Sequence, residues 1–273
     1  MSRWTDALRN LAAMVGGGGP REAGPPRSSN GASSFHLVWE LPGAARSARL
    51  VEVSAVLEIV VPPTVAALYF WALQADFLSG DCFHGGAHTG LQWNRRYPGY
   101  TAVNWGGYAS QEDGGRILPG SISDLPGFPD DPNTLGYPWE PGRPYRLRIS
   151  RSPDGPGAWR AEVTDVGAGR SSVVRDLYVD AGNEGGHLVR PIVWSEVFAD
   201  FDAPSVTVRW RDLEAVDETG ARLRPDRVRV NYQSAAEGGC TNTTATIDAV
   251  GAVLQVTNTP RVVEQGALLH IGL

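Results

Sequence analysis

The chain has 273 residues, of which 42% are hydrophobic and 9% aromatic, so it can fill a sizeable globular core. Its net charge of -6 argues against nonspecific binding to nucleic acid, and a sequence without lysine excludes Schiff-base catalysis. No apolar run approaches the roughly 18 residues that a membrane-spanning helix needs, so no membrane partner is expected.

The first 34 residues are predicted to form a flexible tail. Residues 4–15 have the spacing of a short amphipathic helical segment. Residues 16–34 are rich in glycine, proline and small polar side chains, which is the composition of a linker. The folded domain is therefore expected over residues 35–273.

From Phe35 onward, apolar residues recur at every second position, as in β-strands with one buried face. Residues 50–62 and 67–77 are more continuously apolar and are predicted to be central strands, and the alternation is clearest in residues 35–41, 144–150, 158–166 and 205–213. The last three carry arginines between the apolar positions, and we expect that arginine face to be solvated. The pattern predicts an all-β fold, a two-sheet antiparallel β-sandwich of the jelly-roll or concanavalin-like type.

Residues 109–143 are rich in proline and glycine and lack a clear strand pattern. A connection of this length in a folded domain usually has a structure of its own. We expect a rim loop that covers part of a ligand site.

Two carboxylates lie within apolar strands. Glu196 alternates with Trp194 and Phe198, and burial on a cleft face would raise its pKa into the range useful for acid–base catalysis. Asp76 shares a face with Gln74 and raises the same question. A glycosidase would need the two carboxylates to meet. The alternative for either one is an ion pair with an arginine.

His84 and His88 form the densest pair of titratable side chains. Two glycines between them rule out the helical H-x-x-x-H arrangement of a metal site. In a loop they remain candidates for acid–base catalysis, or for metal ligation with Asp76, Asp81 or Cys82. An ordinary hydrogen-bonding role is the alternative, and no metal or other cofactor is predicted.

Amide, guanidinium and aromatic side chains alternate between residues 92 and 108. Such groups supply the directional hydrogen bonds and stacking faces that a hydroxyl-rich ligand needs. The predicted ligand-binding residues are Trp71, Gln74, Gln92, Trp93, Asn94, Arg95, Trp105, Tyr108 and Trp194. The alternative is ordinary amphipathicity of a sheet, with Trp93 in the core.

The N-terminal sequence lacks the long apolar stretch of a signal peptide, so a cytoplasmic protein with free Cys82 and Cys240 thiols is expected. Secretion is the alternative, and it would make a disulfide between these two cysteines the expectation.

The phrases YFWALQADF, GGAHTGLQWN, VWSEVFADFDAPSVTVRW and NYQSAAEGGCTNTTA resemble a family of uncharacterised actinobacterial proteins, grouped as a domain of unknown function. The resemblance covers roughly residues 35–270. It implies a lectin-like, concanavalin-type jelly roll, and in many members also secretion and a disulfide. It implies no agreed activity.

Two functions compete. The first hypothesis is a binding module for a carbohydrate or another small molecule, with Trp93, Trp105 and Tyr108 stacking on the ligand. The alternative is a cofactor-independent cyclase, lyase or hydrolase of a specialised-metabolite pathway, in which Glu196 or the histidines at 84 and 88 move protons. A homodimeric scaffold is a third hypothesis.

Overall fold

A computed structural model of the chain describes residues 22–107, 115–179 and 185–272. The predicted all-β fold is confirmed, because the described residues form antiparallel strands joined by loops and short 3₁₀ turns at Gly43–Ser47, Pro98–Tyr100 and Ala235–Glu237.

The strands pair into two sheets. Sheet I has the spatial order β17 (Leu268–His270), β14 (Arg227–Tyr232), β1 (Ser33–Glu40), β11 (His187–Val197), β3 (Tyr69–Ser79), β4 (Cys82–Trp93), β5 (Thr101–Gly107) and β7 (Thr134–Gly136). Sheet II has the order β15 (Thr244–Ile247), β16 (Val253–Val256), β12 (Thr207–Asp217), β2 (Leu50–Val61), β8 (Pro144–Arg151), β9 (Ala158–Asp165), β10 (Arg170–Tyr178) and β6 (Arg116–Ile117). The short β13 (Arg222–Leu223) pairs with the end of β12.

The core lies between the two sheets. Trp71 and Trp105 of sheet I and Trp159 and Trp210 of sheet II are all fully buried there. One residue pair, Leu188 of β11 with Leu50 of β2, joins the two sheets where β11 and β2 begin. Because successive side chains of a strand point to opposite faces, each sheet also has an outer face, away from this core.

The predicted helical segment at residues 4–15 lies outside the described residues. The chain from Glu22 to β1 is bonded to the body of the sandwich; for example, the Glu22 amide donates to Asn242 Oδ1 at 2.9 Å and the Gly24 amide to Asp202 Oδ1 at 3.0 Å.

The proline-rich stretch after β5 contains the short strands β6 and β7, with loops around them. Among the described residues, no helix is long and apolar enough to cross a membrane.

Candidate functional site

The outer face of sheet I carries a set of side chains unlike those elsewhere on the sandwich. Strand register places these residues next to one another on that face: Ser34 and His36 of β1; Ile192, Trp194 and Glu196 of β11; Phe70, Ala72 and Gln74 of β3; His88, Gly90 and Gln92 of β4; Ala102 and Asn104 of β5.

Four rings cross this face in contact. The Phe70 ring lies 5.2 Å from both the His88 and the Trp194 rings, measured between centroids, and the His88 and Trp194 rings are also 5.2 Å apart. Trp194 meets His36 at 5.9 Å. All four contacts are edge-to-face, the arrangement that aromatic quadrupoles favour. We call these four residues the aromatic strip.

Gly90 makes the strip possible. A Cβ atom at this position would lie 2.1 Å from the Trp71 carbonyl oxygen and 2.7 Å from Cε2 of Phe70. Only a glycine therefore lets the Phe70 ring lie where it does, between His88 and Gln92.

Glu196 lies beside the strip, opposite Phe70 on the neighbouring strand. Its Oε1 accepts a hydrogen bond from Asn30 Nδ2 at 3.0 Å. Burial raises the pKa of the Glu196 carboxyl, and the Asn30 bond only partly opposes this effect. A raised pKa allows the group to hold or release a proton closer to neutral pH.

The two histidines of the strip are neutral near pH 7. Burial lowers the pKa of His36 to about 4 and that of His88 to about 4, because the apolar surroundings disfavour the imidazolium. Each neutral ring offers one hydrogen-bond donor and one acceptor.

Three polar atoms of this face are buried without a hydrogen-bond partner among the described residues. They are Gln92 Oε1, Asn104 Oδ1 and Trp194 Nε1. Gln92 is 8% exposed and Trp194 is 6% exposed, so water has little access to either side chain. A buried polar group without a partner costs about 1–3 kcal/mol, which a ligand that completes the bond would recover.

Asp76 lies at the other end of the face. Its Oδ2 is 3.2 Å from Arg190 Nε, and its side chain is also hydrogen-bonded to Gln74. Burial raises the pKa of the Asp76 carboxyl, with Arg190 acting against that shift.

The structure does not bring Asp76 and Glu196 together. On β3, Asp76 is six residues from the partner of Glu196, so the two carboxylates are about 20 Å apart. This separation exceeds that of the paired carboxylates in glycosidases. A glycosidase that pairs Glu196 with Asp76 is therefore not supported, because the two acids lie on one face but at different ends of it.

The predicted aromatic ligand residues divide between the two faces. Trp194 is on the outer face with Gln74 and Gln92, whereas Trp71 and Trp105 are in the core at 1% and 0% exposure. A ligand on the outer face cannot reach those two rings, so the site we describe leaves them out. The physical reason is the period of the strand, which sends neighbouring residues to opposite faces.

Trp93 also points to the core side, where its indole N–H donates to the Val65 carbonyl oxygen at 3.1 Å. Asn94 begins the next loop, and its Oδ1 accepts from the Arg96 amide at 3.1 Å. The Arg95 guanidinium lies 5.4 Å from the centre of the Tyr100 ring.

The remaining predicted residues do not join the strip. Tyr108 lies outside the described residues. His84 precedes His88 by four residues, about 13 Å along β4, at the point where the pairing with β3 shifts register. Cys82 is exposed, Cys240 is buried, and both are free thiols. In the described part of the chain, no three His, Cys, Asp or Glu side chains are placed to hold a metal ion.

Sequence reasoning missed Phe70, His36, Asn104 and Asn30. Strand alternation could have identified the first two. Phe70 lies on the same side of β3 as Gln74 and Asp76, and His36 alternates with core residues of β1. No local pattern signals Asn30, which bonds to Glu196 across 166 positions of sequence.

No protein-family profile matches the chain, and no curated protein is similar in sequence. Scytalido-glutamic peptidase, solved with a transition-state analog inhibitor, has 11% identity and a TM-score of 0.46, covering 82% of this chain and 98% of that chain. SCP-B, a member of the Eqolisin family of peptidases solved with the tripeptide Ala-Ile-His, has 10% identity and a TM-score of 0.43, covering 86% and 98%.

Lectins are also similar in structure. Peanut lectin has 10% identity and a TM-score of 0.30, covering 75% of this chain and 86% of that chain. These values carry no inference about activity. The chain's own strand pairing shows a two-sheet antiparallel β-sandwich.

Proposed function

We propose that the protein binds a small hydroxyl-rich molecule of the carbohydrate class on the outer face of sheet I. The observation that carries this proposal is the group of three buried polar atoms without partners, Gln92 Oε1, Asn104 Oδ1 and Trp194 Nε1. They lie on β11, β4 and β5 of one face, and β3, which carries Phe70 of the aromatic strip, separates β11 from β4.

The chemistry of these atoms favours hydroxyl groups. Two of them accept a hydrogen bond and one donates, and a hydroxyl group can do both. The neutral imidazoles of His36 and His88 have the same dual character. A ligand with several hydroxyls could therefore satisfy all of these groups at once.

The test uses two matched tryptophan variants. Trp194→Phe keeps a six-membered aromatic ring on the outer face and removes the pyrrole ring of the indole together with its N–H. Trp39→Phe makes the same change at a buried indole that also lacks a partner but lies in the core. The measurement is binding to an array of neutral, aminated and acidic oligosaccharides.

We expect at least one class of oligosaccharide to bind the wild-type protein and the Trp39→Phe variant alike. The Trp194→Phe variant should bind it about tenfold more weakly, the effect of one lost hydrogen bond to a buried group. Equal loss in both variants would reflect stability, and an array without any Trp194-dependent ligand would overturn the proposal.

A second candidate is a cofactor-independent enzyme that uses Glu196 as acid or base. The observation that favours it is the raised pKa of this carboxyl, held by Asn30 beside the strip. A panel of nitrophenyl glycosides tests it. Turnover by the wild-type protein that disappears in a folded Glu196→Gln variant would support the enzyme, and unchanged turnover in that variant would exclude Glu196 as the catalyst.

A further inference from the structure

The strands of sheet I contain three carboxylates, and they are not equivalent. Glu40 of β1 lies 2.7 Å from Arg229 Nη2, and Asp76 of β3 lies 3.2 Å from Arg190 Nε. Glu196 of β11 has no arginine within ion-pair distance in the described part of the chain; its hydrogen-bond donor there is the neutral Asn30 amide.

The arginines of the same strands already pair with carboxylates. Besides Arg190 and Arg229, the strands of sheet I contain Arg227, whose Nε is 3.4 Å from Asp226 Oδ1. The histidines nearest to Glu196 on this face are neutral. When it is ionised, Glu196 is a partly buried negative charge without a counter-charge among the described residues, which is costly unless the carboxyl takes up a proton or a cation pairs with it.

The neighbouring atoms without hydrogen-bond partners also indicate a ligand that supplies hydrogen-bond donors. Across Phe70 from Glu196 lies Gln92, whose buried Oε1 lacks a donor, and Asn104 Oδ1 lacks one on the next strand. Counted with the carboxylate, three groups accept hydrogen bonds and Trp194 Nε1 donates. This surplus of acceptors suits a ligand that has more donors than a simple polyol.

We infer that the ligand of this face carries a protonated amine, which pairs with Glu196, so that the ligand class is an amino sugar or a similar hydroxylated amine. This inference rests on the proposed function and narrows it. The ammonium group has three N–H donors for the carboxylate and nearby acceptors, and the hydroxyls fill the remaining positions.

The test compares two sugars that differ at the amine. A glucosamine tetramer and its fully N-acetylated counterpart are titrated calorimetrically into the full chain at pH 6, where free amines carry charge. We expect the glucosamine tetramer to bind about tenfold more tightly, as one charge-assisted hydrogen bond provides. Added salt should reduce the preference.

Glu196→Gln should abolish this preference and leave binding of the acetylated tetramer unchanged. Glu40→Gln is the matched control, because it also removes a negative charge from this face. Unlike the charge of Glu196, that of Glu40 is already paired with Arg229. That variant should keep the tenfold preference.

The outcomes separate the two ideas. If binding depends on Trp194 but the two tetramers bind equally well, the inference of a protonated amine is overturned and the proposed function is retained. A preference that persists in Glu196→Gln also overturns the inference. Failure of both tetramers and of every array sugar to bind overturns the proposed function itself.

Discussion

The outer faces of the two sheets differ in how their polar and charged side chains are paired. On sheet II, polar residues neutralise one another. Arg209 lies between Glu58 at 2.8 Å and Asp248 at 2.9 Å, and Arg148 bridges Glu52 at 3.1 Å and reaches Glu162 on the next strand. In the described part of the chain, these two arginines and their four carboxylates pair with one another without a ligand.

On sheet I, the same position in the fold is occupied by rings, neutral imidazoles and amides with unused hydrogen-bonding atoms. The unpaired carboxyl of Glu196 belongs to this surface. The comparison teaches that burial alone does not mark a site. What distinguishes sheet I is buried polar chemistry that the chain itself leaves unsatisfied.

Acid should weaken sheet I more than sheet II. Both imidazoles of the strip have a pKa near 4 in the folded protein, against 6.5 without burial. At these two positions the unfolded chain binds more protons below pH 6.5, so their contribution to stability falls as the pH drops from 6.5 through 4, by several kcal/mol in order of magnitude. Chemical denaturation across this range measures the slope.

His36→Gln and His88→Gln should each remove about half of that acid slope, because each deletes one buried imidazole. A slope that is the same in both variants as in the wild-type protein would show that the strip is not the acid-sensitive element.

Gly90→Ala should destabilise the protein by about 3 kcal/mol, since the added Cβ collides with the Trp71 backbone and the Phe70 ring. Gly106→Ala is the control on the next strand, where a Cβ would approach only the Asn104 side chain at 3.4 Å. Urea unfolding midpoints measure both. Similar losses in the two variants would contradict the tight packing of the strip.

Arg209→Met should lower the free energy of unfolding by about 2 kcal/mol, because Glu58 and Asp248 lose their shared partner. This variant should not change ligand binding, as the residue lies on the opposite side of the sandwich. Thermal unfolding measures the loss of stability, and the sugar array measures binding. A loss of binding in the folded variant would contradict the placement of the ligand on the outer face of sheet I.

Gln92→Leu should raise the free energy of unfolding, whereas Gly90→Ala and Arg209→Met lower it, and its effect should be the smallest. Replacing a buried side chain whose oxygen lacks a partner by an apolar one should stabilise the free protein by about 1 kcal/mol. The same change should weaken sugar binding. Calorimetric unfolding of the free protein decides, and marked destabilisation would show that the oxygen already has a partner.

The sequence predicted the sandwich well because strand alternation is a local signal. The alternation in residues 144–150 and 205–213 correctly separates the core side chains from the arginine face. The same rule assigns Trp194 and Glu196 to one face. It also implies that Gln92 and Trp93 point to opposite faces, so a single ligand surface could not contain both.

What local pattern could not supply was the order of the strands. Whether Glu196 meets Asp76 or Phe70 depends on the register between β11 and β3, which are far apart in the chain. The contact with Asn30 likewise depends on how the chain enters β1.

The sequence by itself determined the strand period, the absence of lysine and the alternation that divides each strand into a core side and an outer side. Only the tertiary structure decided that four rings from β1, β3, β4 and β11 cross one face, and that Glu196 lies among neutral groups there. The physical reason is that side-chain direction is set by the local backbone, whereas neighbours across a sheet are set by pairing between distant segments.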